Sequence, residues 1–282
     1  MKKLVCMGLT LALACGAAVA APKGSVKIAG SNTILPLSQL WAEGFMNQYS
    51  GTSVSVAGGG SGQGFSSLLN GTCDIANASR EAKPKEIQAA RDRNSKLVAH
   101  KVARDGLSMI VNPSNNVKNL TMKQLADIYS GKAQTWDQVG GNSKKNIVVV
   151  GRDSSSGTYG FIQDTLLAGR AYAKDMMNIP TTQQICTIVS QSADAIGYAG
   201  MAYAEEFEKK GKVRIISISR KTGEPGMKPT VANVMDGTYP LFRFLYMYTL
   251  GTPSGVKGEF IKFALGKEGQ ELVTKSGYLP LK

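Results

Sequence analysis

The chain has 282 residues, a formal net charge of +13, 43% hydrophobic and 19% charged residues, and a single histidine. That length and balance suit a globular protein of one large domain or two lobes, neither disordered nor collagen-like. One histidine and four scattered cysteines exclude an HExxH site, a histidine-rich metal cluster and a two-histidine acid–base pair, and no GxxxxGK[ST], strict GxGxxG or GxSxG is present.

In chain order, residues 1–20 read first, as an export signal. Lys2 and Lys3 make the basic start, Leu4 to Ala18 is apolar and uncharged, and Ala18-Val19-Ala20 is a small-x-small cleavage pattern. A rival reading is a lipid anchor at Cys15, but Ala12 stands three residues before it, where such boxes favour Leu. No other apolar run approaches the ~20 residues of a membrane span. Cleavage after Ala20 leaves a soluble, exported, basic chain of charge +11. Its basic residues are spread rather than striped with aromatics, which speaks against nucleic acid as a partner.

Beyond the signal, β-rich and helical segments alternate. Ser25–Gly30 and Thr52–Ala57 read as strands. Between them Leu37, Leu40, Trp41, Phe45 and Met46 form one helical stripe over Pro36–Gln48. Phe65, Leu68 and Leu69 suggest a short helix. Asp74–Ala78, Leu107–Val111, Asn146–Gly151, Ala195–Ala199 and Val213–Ile218 read as strands. Thr121 caps a helix carrying Met122, Leu125 and Ile128. Gly157–Leu167 and Thr182–Gln191 read as helices, and so do Pro240–Thr249, Val256–Leu265 and Gly269–Ser276. This order predicts an α/β fold with mostly parallel sheets.

Three places share one grammar of strand, small-residue loop and helix start: Gly30-Ser31-Asn32-Thr33-Ile34, then Gly58 to Gly64 with Ser61, then Arg152-Asp153-Ser154-Ser155-Ser156-Gly157-Thr158. A helix start has unpaired N–H groups and a partial positive charge, glycine lets backbone approach closely, and hydroxyls add hydrogen bonds. Such loops bind anions without any catalytic group. Arg152 adds a guanidinium that can grip two oxygens at once. One such loop alone is most simply a capped turn. Three gather at the carboxyl ends of strands, where open α/β sheets bind ligands.

At these loops the chain resembles the periplasmic phosphate-binding proteins, the substrate-binding component of phosphate ABC transporters. The likeness is carried by Ile28-Ala29-Gly30-Ser31-Asn32-Thr33-Ile34-Leu35-Pro36, by Gly60-Ser61-Gly62-Gln63-Gly64, and by Asp74-Ile75-Ala76-Asn77-Ala78-Ser79-Arg80. It continues in Leu120 to Lys132 with Trp136 and Val139-Gly140-Gly141, in Arg152 with Ser156-Gly157-Thr158, and in Ala195-Ile196-Gly197-Tyr198. The resemblance implies a two-lobed, type II-like periplasmic binding protein with two hinge-crossing strands and a cleft between lobes. Lobe one would hold residues 21–110 and 231–282, and lobe two residues 111–230. It implies phosphate ligands at Ser31, Thr33, Ile34, Ser61, Gly62, Ser79, Arg80, Arg152, Ser156, Gly157 and Thr158. It also implies a monomer that hands inorganic phosphate to a membrane permease, with no catalysis, cofactor or metal.

One departure stands out. Some family members carry an acidic residue after Ala-Ser, to accept the phosphate proton and reject sulfate; here that position is Arg80. Asp105 and Asp153 are candidate replacements. The rival functions are a receptor for another oxyanion such as sulfate or arsenate, an exported phosphoester hydrolase, and an adhesion or matrix protein exploiting the basic surface. The hydrolase reading lacks a base for Ser156 and a carboxylate cluster. The adhesion reading predicts polyanion binding indifferent to free phosphate. Cys73 and Cys186 fall in different lobes, so a bond between them would pin the hinge, and two buried free thiols are expected. His100, Trp41, Tyr246 and Tyr248 read as core or edge residues rather than ligands.

Overall fold

The computed structural model describes residues 21–281; the export signal and the Cys15 alternative lie outside them. The first stretch contains β1 (Gly24–Gly30), α1 (Leu35–Gln48), β2 (Thr52–Gly59), α2 (Ser61–Leu69), β3 (Ile75–Ala78), α3 (Pro84–Arg91) and the long β4 (Leu97–Val111). The middle contains β5 (Asn119–Thr121), α4 (Met122–Tyr129), β6 (Val148–Arg152), α5 (Gly157–Thr165), β7 (Met177–Ile179), α6 (Thr182–Gln191) and β8 (Ala195–Gly200). It continues with α7 (Met201–Lys209), β9 (Arg214–Ile215), β10 (Ser217–Ser219) and α8 (Val231–Met235). The chain ends with β11 (Phe242–Leu250), α9 (Gly255–Leu265) and α10 (Lys267–Lys275).

The main sheet runs β2-β1-β3-β11-β4-β8-β6-β7, with β9 also on β4. Parallel pairs flank it on both sides, β1 with β2 and β3, and β6 with β7 and β8. The centre is antiparallel. Residues Leu97–Gly106 of β4 pair with β11, whereas Leu107–Val111 pair with β8. This change of partner divides the α/β chain into two lobes joined through β4 and the approach to β11. At the change of partner a Cβ on Gly106 would stand 2.8 Å from Val234 and 2.9 Å from Pro229, so only glycine fits there.

Each lobe has its own core. Val26, Ile28, Leu37, Trp41, Phe45, Leu245, Met247 and Phe260 form one, and a satellite of Phe65, Leu68, Cys73, Tyr246 and Tyr248 backs it. Leu107 to Ile218 supply most of the other, with Val234, Tyr239 and Leu241. Trp41 is fully buried, as its place on the helical stripe requires, and donates Nε1–H to the Gly269 carbonyl at 2.8 Å. No helix among the described residues is long and apolar enough to cross a membrane.

The expected helix over Pro240–Thr249 is instead the strand β11. Its aromatics Phe242, Phe244, Tyr246 and Tyr248 alternate with Arg243, Leu245 and Met247, a period of two that puts each set on its own face. Apolar residues on both faces hide that period from a helix-weighted reading. The expected strand Val213–Ile218 is split, Arg214–Ile215 joining β4 and Ser217–Ser219 joining β5.

Candidate anion-binding site

Three parallel strands of lobe one end at the cleft. β1 delivers Ser31 and Thr33, β2 delivers Ser61 at the first turn of α2, and β3 delivers Ser79. From lobe two, β6 delivers Ser156 and Thr158 at the start of α5. All six hydroxyl residues are at most 3% exposed, so each hydroxyl needs a partner. They supply one another. Ser31 Oγ donates to Ser79 Oγ at 3.0 Å, and Ser61 Oγ lies 3.4 Å from Ser79 Oγ while accepting the Ser79 N–H at 3.1 Å. Thr33 Oγ1 meets Thr158 Oγ1 across the lobes at 3.1 Å. Ser156 is the N-cap of α5, its Oγ accepting from the N–H groups of Thr158 and Tyr159.

Gly157 sits at a close approach of the two lobes. A Cβ there would lie 2.2 Å from Ser61 Oγ and 2.6 Å from Ser79 Oγ. Ile34 is fully buried at the N-cap of α1. Gly62 faces the cleft, but its N–H donates to the Ser155 carbonyl of lobe two at 2.8 Å. Two more contacts span the lobes there. Asn32 Nδ2 donates to the Pro180 carbonyl at 2.9 Å, and Ser155 Oγ donates to the Gly59 carbonyl at 3.1 Å.

Neither expected guanidinium joins the hydroxyl cluster. Arg80 is buried, but it turns to Glu86, with Nη1 and Nη2 donating to its two carboxylate oxygens at 2.8 and 2.7 Å, and it stacks over Phe65. Glu86 is the third residue of α3 and also accepts the Lys83 N–H at 2.7 Å, so the acid that captures Arg80 is itself fixed by capping that helix. Arg152 is 1% exposed and donates Nε–H to the Ile179 carbonyl, Nη1 to Thr182 Oγ1 and Nη2 to the Pro180 carbonyl. It holds the corner between β7 and α6. Burial lowers its pKa; Asp153 opposes the shift and Arg243 adds to it. Of the candidate acceptors, Asp153 binds the N–H and hydroxyl of Ser155, and Asp105 has another partner.

That partner is Arg243, which the sequence reading did not single out. Asp105 and Arg243 are register partners on β4 and β11, 0% and 4% exposed. Asp105 Oδ2 accepts Arg243 Nε–H at 2.9 Å and Nη2–H at 2.7 Å, while Oδ1 accepts the N–H of Met201 at the start of α7. Arg243 Nη1 donates to Thr158 Oγ1 at 3.0 Å and to the Ser79 carbonyl at 3.2 Å. A charged residue on the inward face of an otherwise aromatic and aliphatic strand is the signal that could have found it. Reading Pro240–Thr249 as a helix obscured that face.

The other expectations fall as follows. His100 is half-buried on β4, its Nε2 3.2 Å from Thr249 Oγ1. Cys73 and Cys186 are buried and unpaired, and burial pushes their thiols up to about 11 and about 12. No cluster of three or more His, Cys, Asp or Glu suited to a metal occurs among the described residues.

A cleft between two α/β lobes, lined by hydroxyls, helix starts and a paired guanidinium, defines the class of bilobal substrate-binding proteins. The sequence pattern of the PBP superfamily domain matches residues 16–268. The chain is 32% identical over 274 residues to the phosphate-binding protein PstS of Pseudomonas aeruginosa, covering 92% of this chain and 83% of that one. It is 32% identical over 259 residues to PstS of Bacillus subtilis, covering 92% and 81%. The crystal structure of a phosphate ABC transporter substrate-binding protein from Clostridium perfringens with bound phosphate superposes with a TM-score of 0.81 at 29% identity, covering 92% of this chain and all of that one. An ABC-type phosphate transport receptor from Vibrio cholerae gives 0.72 at 29%, covering 90% and 99%. The chain belongs to the PBP superfamily and, within it, to the PstS family of phosphate-binding proteins.

Proposed function

We propose that this protein captures inorganic phosphate between its lobes and delivers it to the membrane permease of an ABC transporter. The observation that carries this reading is the buried cluster of six hydroxyl residues, three strand ends from one lobe meeting the capped start of α5 from the other. Hydroxyls and helix-start N–H groups can replace the hydration shell of a small oxyanion without reacting with it. The PstS names of the relatives and the phosphate bound in the Clostridium perfringens protein point to the same anion.

Ser31, Thr33, Ile34, Ser61, Ser79, Ser156, Gly157 and Thr158 are the proposed ligands. Gly62 closes the lobes through Ser155. Arg152 and Arg80 shape the walls, each committed to its own partners. Lobe one is assigned residues 21–106 and 242–282, because Val234, Tyr239 and Leu241 pack into the other core. The protein acts as a monomer in the periplasm after export, as a binder rather than an enzyme. Ser156 Oγ accepts two backbone N–H groups, and the six-hydroxyl cluster contains no histidine or carboxylate to act as its base.

Calorimetry on the mature protein, unfolded and refolded to strip anion, tests this. Phosphate should bind one to one at about micromolar affinity or tighter, ~8 kcal/mol or more, and polyanions should not compete. Equal response to sulfate would make it a general oxyanion receptor, and no response to phosphate would sink the reading.

A further inference from the structure

We propose that Arg243 is the cationic ligand of the bound anion and that Asp105 positions it, so that the site's charge is carried by lobe-one strands beside the hinge rather than by Arg80 or Arg152. This rests on the phosphate-capture reading and adds the residue that supplies its charge. Among the described residues, Arg243 is the one guanidinium that donates to a hydroxyl of the cluster. Asp105 takes Nε–H and Nη2–H on a single oxygen, which orients the planar fork and directs Nη1 toward Thr158 and Ser79. The oxygen left over, Oδ1, is tied to the Met201 N–H of lobe two, so the carboxylate cannot swing away without breaking that bond.

Placement follows from topology. β4 and β11 are the antiparallel centre of the sheet, and Arg243 faces Asp105 in register. Nη1 reaches the Ser79 carbonyl of lobe one and the Thr158 hydroxyl of lobe two, the two groups that closure brings together. A groove of about 470 Å³ runs beside it, lined by Arg80 and Lys83 on one side and Phe161 and Asp164 on the other. The Phe161 ring covers the guanidinium at 5.3 Å. A cation held on lobe one beside the pivot meets the anion with the lobe-one hydroxyls while the lobes are apart, and Ser156 and Thr158 of lobe two add their bonds only on closure.

The test is phosphate calorimetry on anion-stripped wild type and variants, with thermal melting of each phosphate-free protein. The double variant Arg243→Met with Asp105→Leu removes both buried charges, which proteins tolerate better than removal of one. It should melt cooperatively and bind phosphate about 100-fold more weakly; a loss under about tenfold overturns the assignment. Should that variant not fold, Arg243→Lys carries the test. It keeps the charge but loses the fork, so affinity should fall about tenfold, and a change within about twofold overturns the proposal. Asp105→Asn should weaken binding about tenfold alone, and under about twofold when Arg243 is already Met; a full loss in both backgrounds removes the positioning role. Wild type that binds no phosphate overturns this proposal together with the reading beneath it. Wild type and double variant that bind alike overturn the Arg243 assignment alone.

Discussion

Gly157 shows how little room a single residue leaves at the lobe junction. Its missing side chain is what lets α5 approach Ser61 and Ser79, since a methyl there would lie 2.2 Å from one hydroxyl oxygen. Gly157→Ala should therefore weaken phosphate binding about tenfold or more, ~1.4 kcal/mol per decade. The lobes should still fold, which melting of the phosphate-free protein checks, because the clash arises between lobes rather than inside one. Arg80 makes the opposite case. Its guanidinium is held bidentately by Glu86, so Arg80→Gln should change phosphate affinity less than about threefold. It should cost about 3 kcal/mol of stability in urea unfolding, because Glu86 is left buried without its cation. An affinity loss above tenfold would return Arg80 to the ligand set.

At the scale of the element, helix starts do most of the positioning. α4 begins with a reciprocal cap in which Thr121 Oγ1 accepts the Gln124 N–H and the Gln124 side chain accepts the Thr121 N–H. Thr121→Ala should lower stability by about 1 kcal/mol in denaturant titration and leave phosphate affinity unchanged, since α4 packs its buried Leu125 and Ile128 away from the cleft. The cap of α5 is one-sided, Ser156 Oγ accepting the Thr158 and Tyr159 N–H groups, and there the capping hydroxyl lies in the cluster at the cleft. Ser156 orders the first turn whose residues Gly157 and Thr158 face the other lobe. β11 makes the corresponding point for strands. Alternation sends Phe244 and Tyr246 to one face and Arg243 and Leu245 to the other, so one strand contributes both to a lobe core and to the ion pair with β4.

Across the whole molecule, the two lobes stay mechanically separate except where they must meet. Cys73 lies in the satellite core of one lobe and Cys186 in the core of the other, and neither is bonded. Mature protein cleaved after Ala20, unfolded without reductant, should release two titratable thiols per chain; finding none would mean a bond that pins the lobes. In the folded state both thiols should react slowly at mildly alkaline pH, because burial raises them to about 11 and about 12 and leaves little thiolate. The contacts that span the lobes include Asn32 to Pro180, Ser155 to Gly59, Gly62 to Ser155, Thr33 to Thr158, Tyr203 to Asn32, Arg243 to Thr158 and Asp105 to Met201. Each is a hydrogen bond, which can open and re-form without repacking a core.

The sequence by itself determined the alternation of strands and helices, the three small-residue loops at strand ends, and the hydroxyls Ser31, Thr33, Ser61, Ser156 and Thr158. These rest on local rules: periodicity, capping preference and the freedom of glycine act within a few residues of chain. The tertiary structure alone decided which arginine faces the cluster. A guanidinium goes where its carboxylate and carbonyl partners are, and those partners are far away in sequence or hidden by secondary structure. Glu86 is fixed by the cap of α3, Asp105 meets Arg243 only through the β4–β11 register, and the carbonyls that hold Arg152 sit at the β7–α6 corner. The conformation of β11 was decided the same way. An apolar run with no visible period becomes a strand because β3 and β4 stand on either side to pair with it.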